Sequence, residues 1–141
     1  MTRPSALRVV IAVGSIALGL IHLRLYVTTY RDVPIENLGR SFLLNAVVAV
    51  AAAVVVLLVS HRWAVIAPLA VANATMIAFG LSRTDRGIMG FTERGWTPSP
   101  DAAAALIIEI LTASLCLLAL ATENSVGRTA TSVGIDMPGV G

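Results

Sequence analysis

A glutamate, Glu109, lies well inside an apolar stretch that runs from residue 102 to residue 121. It is eight residues beyond Asp101, which places it about 12 Å into a helix that starts there. At that depth in a membrane, an ionised carboxylate that faced lipid would cost several kcal/mol. We therefore expect Glu109 to face the interior of a helix bundle and to be either paired or protonated.

Three other polar side chains can share the layer of Glu109. His22 and Arg24 lie in the last part of the first apolar stretch, and Asn45 lies five residues beyond Arg40, about 7–8 Å into the second. Arg24 is the natural ion partner, with His22 or Asn45 as a hydrogen-bond donor. Arg24 is also about 200° around the helix from His22. The alternative is that Arg24 reaches to the membrane surface and His22 meets Glu109.

Small and polar residues form stripes on the first and fourth helices, and we expect these stripes to face inward. Small residues let membrane helices approach closely. The stripes are Ser15, Gly19, His22 and Tyr26 on the first helix, and Ala105, Glu109, Thr112 and Cys116 on the fourth. Tyr26 and Thr112 are therefore candidates for the same site as Glu109. Asn73, which shares a face with Gly80, is a further candidate, although such a residue more often hydrogen-bonds between helices.

The layer around Glu109 has two interpretations, and the residues leave both open. It is either a polar clamp that fixes the register of the helices or a site for a substrate, an ion or a proton. We expect no metal and no cofactor, because His22 and Glu109 are only two ligands and His61 lies at the other end of the bundle. The single cysteine, Cys116, cannot form an internal disulfide and is expected to be a small core residue.

The composition is that of a membrane protein. Hydrophobic residues make up 57% of the 141 residues and charged residues 13%, whereas soluble domains are about half apolar and a quarter charged. Four stretches approach the roughly 20 apolar residues that a spanning helix needs: 7–26, 42–59, 63–81 and 102–121. The sequence predicts an all-α membrane protein, an antiparallel four-transmembrane-helix bundle over residues 1–122, with a disordered tail at 123–141. The net charge of +2 gives no reason to expect a nucleic-acid partner.

Four spans place both termini on one side of the membrane, which we expect to be the cytoplasmic side of the plasma membrane. The arginine counts on the two sides are nearly balanced and slightly favour the opposite orientation. However, Arg3 and Arg8 precede the first helix, which often dominates orientation. Aromatic residues are favoured at the membrane surface, so Trp63, Trp96 and Phe91 are predicted interface anchors.

Several sequence blocks between residues 20 and 110 resemble a group of small four-span membrane proteins from high-GC Gram-positive bacteria. Proteins of that group have a His-Leu pair at the end of helix one, a Phe-Leu-Leu-Asn block that opens helix two, and a Leu-Ser-Arg-Thr…Gly-Phe stretch that leads to a glutamate in helix four. The corresponding residues here are His22-Leu23, Phe42-Leu43-Leu44-Asn45, Leu81-Ser82-Arg83-Thr84, Gly90-Phe91 and Glu109. The resemblance implies the architecture and a shared polar layer, but no activity. In size and helix count the chain is also similar to DoxX-like membrane proteins.

No catalytic or cofactor motif stands out in the sequence, which therefore favours a non-enzymatic protein. We expect it to act by association within the lipid bilayer, with another membrane protein or with copies of itself. An accessory subunit of an envelope or respiratory complex is one such role. The alternative is a carrier or sensor that binds a small lipophilic or anionic molecule at the layer of Glu109, His22 and Arg24.

Overall fold

The computed structural model describes residues 4–133, and its description of side chains ends at residue 122. Within this part of the chain all elements are helical and no strand is present. The helices are α1 (Ala6–Leu25), which a π-helical segment (Tyr26–Tyr30) extends; α2 (Leu38–Leu58); α3 (Ile66–Ser82), which follows a 3-10 turn (Arg62–Val65); and α4 (Asp101–Val133).

The prediction of an all-helical chain with four helices of membrane-spanning length is confirmed for the described residues. The segments that are long and apolar enough to cross a membrane are Ala6–Tyr30, Leu38–Leu58, Arg62–Ser82 and Asp101–Thr122. Every helix also exposes large apolar side chains on its outer surface, among them Leu20, Val47, Ile77 and Leu111.

The last helix extends beyond the predicted end of the fourth apolar stretch. α4 continues to Val133, whereas the apolar stretch ends at residue 121. The tail at 123–141 was expected to be disordered. Its residues 134–141 lie outside the described part of the chain, and disorder there stays a prediction.

One end of the bundle is closely packed, and we call it the closed half. Its core consists of fully buried residues from all four helical regions: Ile11, Val56, Val65, Cys116 and Ala119. Gly14 of α1 allows close contact with α4, because a Cβ there would lie 2.5 Å from the Thr112 Oγ1. Arg8 Nη1 donates to the carbonyl of Val59 at 2.6 Å, which joins the start of α1 to the end of α2.

The other end contains a cavity, and we call it the open half. The connection between α3 and α4 covers part of this end and makes a tight turn in which Ile88 and Phe91 exchange backbone hydrogen bonds of 2.9 and 2.8 Å. Gly87 has a φ of 63°, and a Cβ there would collide with the Phe91 carbonyl oxygen. Glycine is therefore required for the turn that holds Phe91 against Tyr30.

Candidate ligand-binding site

The open half encloses a cavity of about 390 Å³. Its walls are formed by the first half of α2, the second half of α3 and the start of α4, with His22, Leu25 and Tyr30 contributed by the first helical segment. Most of the lining is apolar, with Leu44, Val48, Val71, Ala78, Ile88 and Ala105 among its members. Leu44 and Val48 also reach the outer surface of the bundle, with 64% and 40% exposure. The cavity is therefore bounded on the α2 side by residues that also face the surroundings of the protein.

His22 and Glu109 form the polar group of this cavity. Their side chains are 5% and 2% exposed, and the distance from His22 Nε2 to Glu109 Oε1 is 3.9 Å. His22 comes from the buried stripe of α1 and Glu109 from the facing stripe of α4. Among the buried side-chain atoms that the structure describes, Glu109 Oε1 is the one without a hydrogen-bond partner.

The hydrogen bonding of His22 determines how the pair can hold a proton. His22 Nδ1 lies 2.9 Å from the carbonyl oxygen of Leu18, which can only accept, so Nδ1 carries a hydrogen. A neutral His22 then presents the lone pair of Nε2 toward Glu109. An ionised carboxylate would also present only lone pairs. Two facing acceptors repel each other, so we infer that the pair carries one additional proton, on Nε2 or on the carboxyl group.

An aromatic column connects His22 to the outer end of the cavity. The ring of His22 stacks on Phe42 with a centroid distance of 5.9 Å, and Phe42 stacks on Tyr30 at 4.1 Å. Phe91 meets Tyr30 edge-on at 5.6 Å. This column holds His22 in place, because Leu18 fixes one edge of its ring and Phe42 covers one face.

A second polar group closes the outer end of the cavity. The hydroxyl of Tyr30 donates to Glu93 Oε1, and Arg83 Nη1 lies 3.1 Å from Glu93 Oε2. Arg83 also donates to the carbonyls of Gly95 at 3.1 Å and Thr97 at 2.9 Å, and it lies 3.9 Å above the ring of Phe79. The guanidinium group is thus occupied in holding the α3–α4 connection across the end of the cavity.

The wall between α2 and α3 contains a polar contact of its own. Asn45 Nδ2 donates to Thr75 Oγ1 at 3.1 Å, and Thr75 donates to the carbonyl of Val71 at 2.7 Å. Both Asn45 and Thr75 line the cavity. Asn45 therefore shares the cavity with His22 and Glu109, but its amide joins two helices instead of contacting the carboxyl group.

Arg24 was expected either to pair with Glu109 or to reach the surface while His22 meets Glu109, and the structure has the second arrangement. The Arg24 Nε lies 3.2 Å from Asp101 Oδ2. The two side chains are 65% and 18% exposed. The reason is the direction of Arg24 on α1, far around the helix from His22. The contact ties the end of α1 to the start of α4, and it leaves Glu109 without a guanidinium partner.

Tyr26 and Thr112 lie on the predicted stripes but not in the cavity. Tyr26 borders a separate polar pocket together with Arg31, Glu36 and Arg40. Thr112 is 1% exposed and packs against Gly14 in the closed half.

Asn73, Trp63 and Trp96 are exposed, whereas Phe91 is half-buried. Asn73 is exposed on the outer face of α3 and donates to the carbonyl of Leu69 at 2.8 Å. Trp63 and Trp96 are each 57% exposed. Phe91, which was expected at the membrane surface, is half-buried and lines the cavity. The tight turn of the α3–α4 connection directs it toward Tyr30.

Sequence reasoning missed Tyr30, Thr75 and the Arg83–Glu93 pair. Tyr30 is eight residues beyond His22, which in an α-helix is about 80° away around the axis. The π-helical segment has more residues per turn and brings Tyr30 over the same face. π-Helical turns are frequent at functional sites, but the sequence Tyr-Val-Thr-Thr-Tyr does not predict one. Arg83 and Glu93 looked like a solvated loop surface because both lie in a mixed, charged connection.

No group of three His, Cys, Asp or Glu residues that could hold a metal ion occurs in the described part of the chain. Comparison of the chain with protein-family models, with curated proteins and with solved structures finds no match. The resemblance to small four-span proteins therefore stays a prediction, and the function is inferred from the geometry of the cavity.

Proposed function

We propose that the protein is a membrane-embedded carrier or sensor that binds a small lipophilic molecule in the cavity of its open half. The observation that carries this proposal is the combination of a cavity of about 390 Å³ with a buried, unpartnered carboxyl oxygen of Glu109. Ligand pockets are typically about 300–1,000 Å³, mostly apolar, with a few polar groups that orient the ligand. A purely structural clamp would satisfy its own polar atoms.

Insertion in a lipid bilayer, as an antiparallel bundle, is part of this proposal. It is supported by the length of the four apolar helices and by the apolar side chains on their outer surfaces. The contact of Arg8 with Val59 joins the start of α1 to the end of α2, and the pair of Arg24 and Asp101 joins the end of α1 to the start of α4. Both contacts are those expected between antiparallel neighbours.

We also propose that the bundle lies in the plasma membrane with both termini in the cytoplasm. Arg3 and Arg8 before the first helix support this orientation. In this arrangement the α3–α4 connection and the outer end of the cavity face the opposite side. Reporter fusions after residue 122 and within residues 86–94 test the orientation: a cytoplasmic signal from the second fusion alone would reverse it.

The lipid phase is the expected source of the ligand. Leu44 and Val48 line the cavity from α2 and are exposed to the surroundings of the bundle. Across from them, Ala74 of α3 both lines the cavity and is exposed. A lipophilic molecule can therefore pass between α2 and α3 without crossing the polar end of the bundle.

Purification in mild detergent, followed by extraction and mass spectrometry of bound small molecules, tests the proposal. The decisive variant is Ala78→Leu, which adds side-chain volume to the cavity wall. The matched control is Ala70→Leu on the same helix, at an exposed position outside the cavity. We expect the control and the natural protein to retain a lipophilic molecule that Ala78→Leu loses. Equal retention by both variants would place any binding elsewhere and contradict the proposal.

Association with a second membrane protein, or with another copy of this chain, is a second proposed role. The observation that favours it is Asn73, which presents an amide on the outer face of α3 with Ile77 and Gly80 beside it. An amide that faces lipid gains from a partner helix, and a glycine lets that helix approach closely. We expect Asn73→Leu to shift the detergent-solubilised protein to a smaller assembly. An unchanged assembly size and unchanged co-purifying proteins would contradict this role.

A further inference from the structure

The polar side chains of the cavity differ: those that carry a donor make hydrogen bonds within the protein, and one buried acceptor atom has no partner in the described part of the chain. Each side chain in the lining that carries a strong hydrogen-bond donor already donates within the protein. These donations run from Tyr30 to Glu93, Ser41 to Leu38, Asn45 to Thr75, Thr75 to Val71, Ser82 to Phe79, and Arg83 to Glu93, Gly95 and Thr97. The buried atom left without a partner is Glu109 Oε1, which is an acceptor when the carboxyl group is ionised.

The charged side chains around the cavity also indicate that Glu109 lacks a partner. On α3 and the connection that follows it, Arg83 and Glu93 neutralise each other at 3.1 Å. No charged residue of α2 lines the cavity, and the α4 residue Asp101 pairs with Arg24 outside it. The cavity lining also contains the ionisable side chains of His22 from α1 and Glu109 from α4. An ionised Glu109 therefore needs a positive charge next to it, since an isolated charge in an apolar layer is costly.

We propose that the cavity binds an amphiphilic ammonium, a protonated amine on an apolar chain, whose N–H group donates to Glu109. This inference rests on the proposed ligand-binding function and names its ligand class. The ammonium group takes the place of the additional proton that the pair of His22 and Glu109 carries in the ligand-free protein. The proton leaves to solvent, His22 stays neutral, and the charge of the layer is the same before and after binding.

The exchange of a proton for an ammonium group favours a cationic ligand over an anionic or a neutral one. An anionic head group would face Glu109 without a free cation beside it, because Arg83 is held by Glu93 and by two backbone carbonyls. The anionic alternative from the sequence is therefore disfavoured. A neutral alcohol can donate a hydrogen bond, but it cannot balance the carboxylate charge.

The test uses four probes with the same octyl chain: octylamine, octyltrimethylammonium, octanol and octanoate. Binding of each to the purified full-length protein in lipid nanodiscs is measured by equilibrium dialysis at pH 7. We expect octylamine to bind roughly tenfold to a hundredfold more tightly than octanol, the gain of a charge-assisted hydrogen bond. Octyltrimethylammonium, which lacks an N–H, should fall between them, and octanoate should bind most weakly.

Two variants and a change of pH test whether the preference for octylamine over octanol depends on Glu109. Glu109→Gln should remove the preference for octylamine over octanol, and Ser114→Ala on the exposed face of α4 should leave it unchanged. In the natural protein, lowering the pH should weaken octylamine binding and leave octanol binding unchanged, because the proton and the ammonium group compete for one position. This measurement needs no variant and stands if Glu109→Gln does not fold.

The outcomes separate this inference from the proposed function. If octanol and octylamine bind equally and Ala78→Leu blocks both, the cavity binds lipophilic molecules and the ammonium proposal is wrong. An octylamine preference that survives Glu109→Gln, or that does not change with pH, would also overturn it. If no probe binds in a way that Ala78→Leu blocks, the ligand-binding function itself is contradicted.

Discussion

The closed and open halves of the bundle are built from the same four helices, yet they pack differently. In the closed half, Ile11, Val56 and Cys116 are fully buried against one another, and Gly14 lets α1 and α4 touch. In the open half the same helices surround a cavity of about 390 Å³. In a lipid environment, helices are held together by packing and polar contacts and not by exclusion of water. The closed half can therefore hold the bundle together while the open half keeps a space.

The polar contacts of the two halves differ as well. The closed half has the donation of Arg8 to Val59 at its end, an apolar core cluster and, beside it, the buried hydroxyl of Thr112. The open half contains His22, Glu109, Tyr30, Glu93 and Arg83 within one cavity lining. Glu93 and Arg83 satisfy each other, and they stabilise the end of the bundle. Glu109 Oε1 has no hydrogen-bond partner among the described residues and lies 3.9 Å from His22 Nε2, and this difference is the reason that we propose His22 and Glu109 as the ligand-binding groups.

The largest expected effect is the loss of packing in the closed half. Ile11→Ala removes a fully buried side chain from the cluster with Val56 and Val65, and it should lower the free energy of unfolding by about 2–5 kcal/mol. Ile21→Ala, on the same helix but half-buried beside the open half, should cost less than half as much. Unfolding in detergent mixtures measures both variants. A larger loss at Ile21 would reverse the comparison.

At the contact of Gly14 with Thr112 we expect a smaller loss of stability, which a second substitution should reverse. Gly14→Ala should cost about 1–3 kcal/mol by overpacking, because the new Cβ would lie 2.5 Å from Thr112 Oγ1. Thr112→Ala removes that oxygen, so the double variant should regain most of the lost stability. If the two single-variant losses simply add in the double variant, the helices do not meet at this point.

The outer end of the open half should respond to loss of Glu93. Glu93→Ala leaves both Arg83 and the hydroxyl of Tyr30 without their carboxylate, and we expect a loss of about 1–2 kcal/mol because Tyr30 is buried and Arg83 is mostly so. Tyr30→Phe removes one donor and keeps the ion pair, so its effect should be smaller. Thermal unfolding of both variants checks this order. A Tyr30→Phe protein that is less stable than Glu93→Ala would contradict this order, because it would show that the Tyr30 hydroxyl contributes more than the whole Glu93 carboxylate.

Arg24 should have the smallest effect of these positions. Its pair with Asp101 is largely exposed, and exposed ion pairs contribute about 0.2–1 kcal/mol. Arg24→Gln should therefore change the free energy of unfolding by less than about 1 kcal/mol and leave octylamine binding unchanged. A loss of several kcal/mol, or a loss of ligand binding, would indicate that Arg24 interacts with Glu109 and contradict its assignment to Asp101.

Hydropathy predicted the helices, because a spanning helix needs a long apolar stretch whatever its neighbours are. The depth of Glu109 in the fourth stretch also predicted that its carboxyl group faces inward, with Arg24 as its ion partner or, in the alternative, His22 in contact with it. The cavity could not be predicted, because it depends on how far apart α2 and α3 lie. Tyr30 depends on a π-helical segment, and Phe91 on a tight turn at Gly87. Both positions depend on local backbone conformation, which cannot be predicted from hydropathy.

Arg24 illustrates the remaining limit of sequence reasoning. Depth along the chain placed Arg24 and Glu109 in one layer, and charge made them natural partners. The angle of about 200° from His22, which the sequence also provides, favoured the alternative in which Arg24 reaches the surface. The sequence did not indicate the partner that Arg24 finds there, Asp101 at the start of α4. Depth and charge together are therefore not enough to assign partners in a helix bundle, and the direction of each side chain must be known.

The same substitution in the two halves tests the central claim most directly. Ala53 is 0% exposed in α2, and Ala78 lines the cavity from α3. Ala53→Leu should overpack a filled interior and cost about 1–3 kcal/mol of unfolding free energy. Ala78→Leu should extend into space and change the stability of the ligand-free protein by no more than about 0.5 kcal/mol. Equal losses at both positions, measured in ligand-free protein by detergent unfolding, would contradict the account of one closed and one open half.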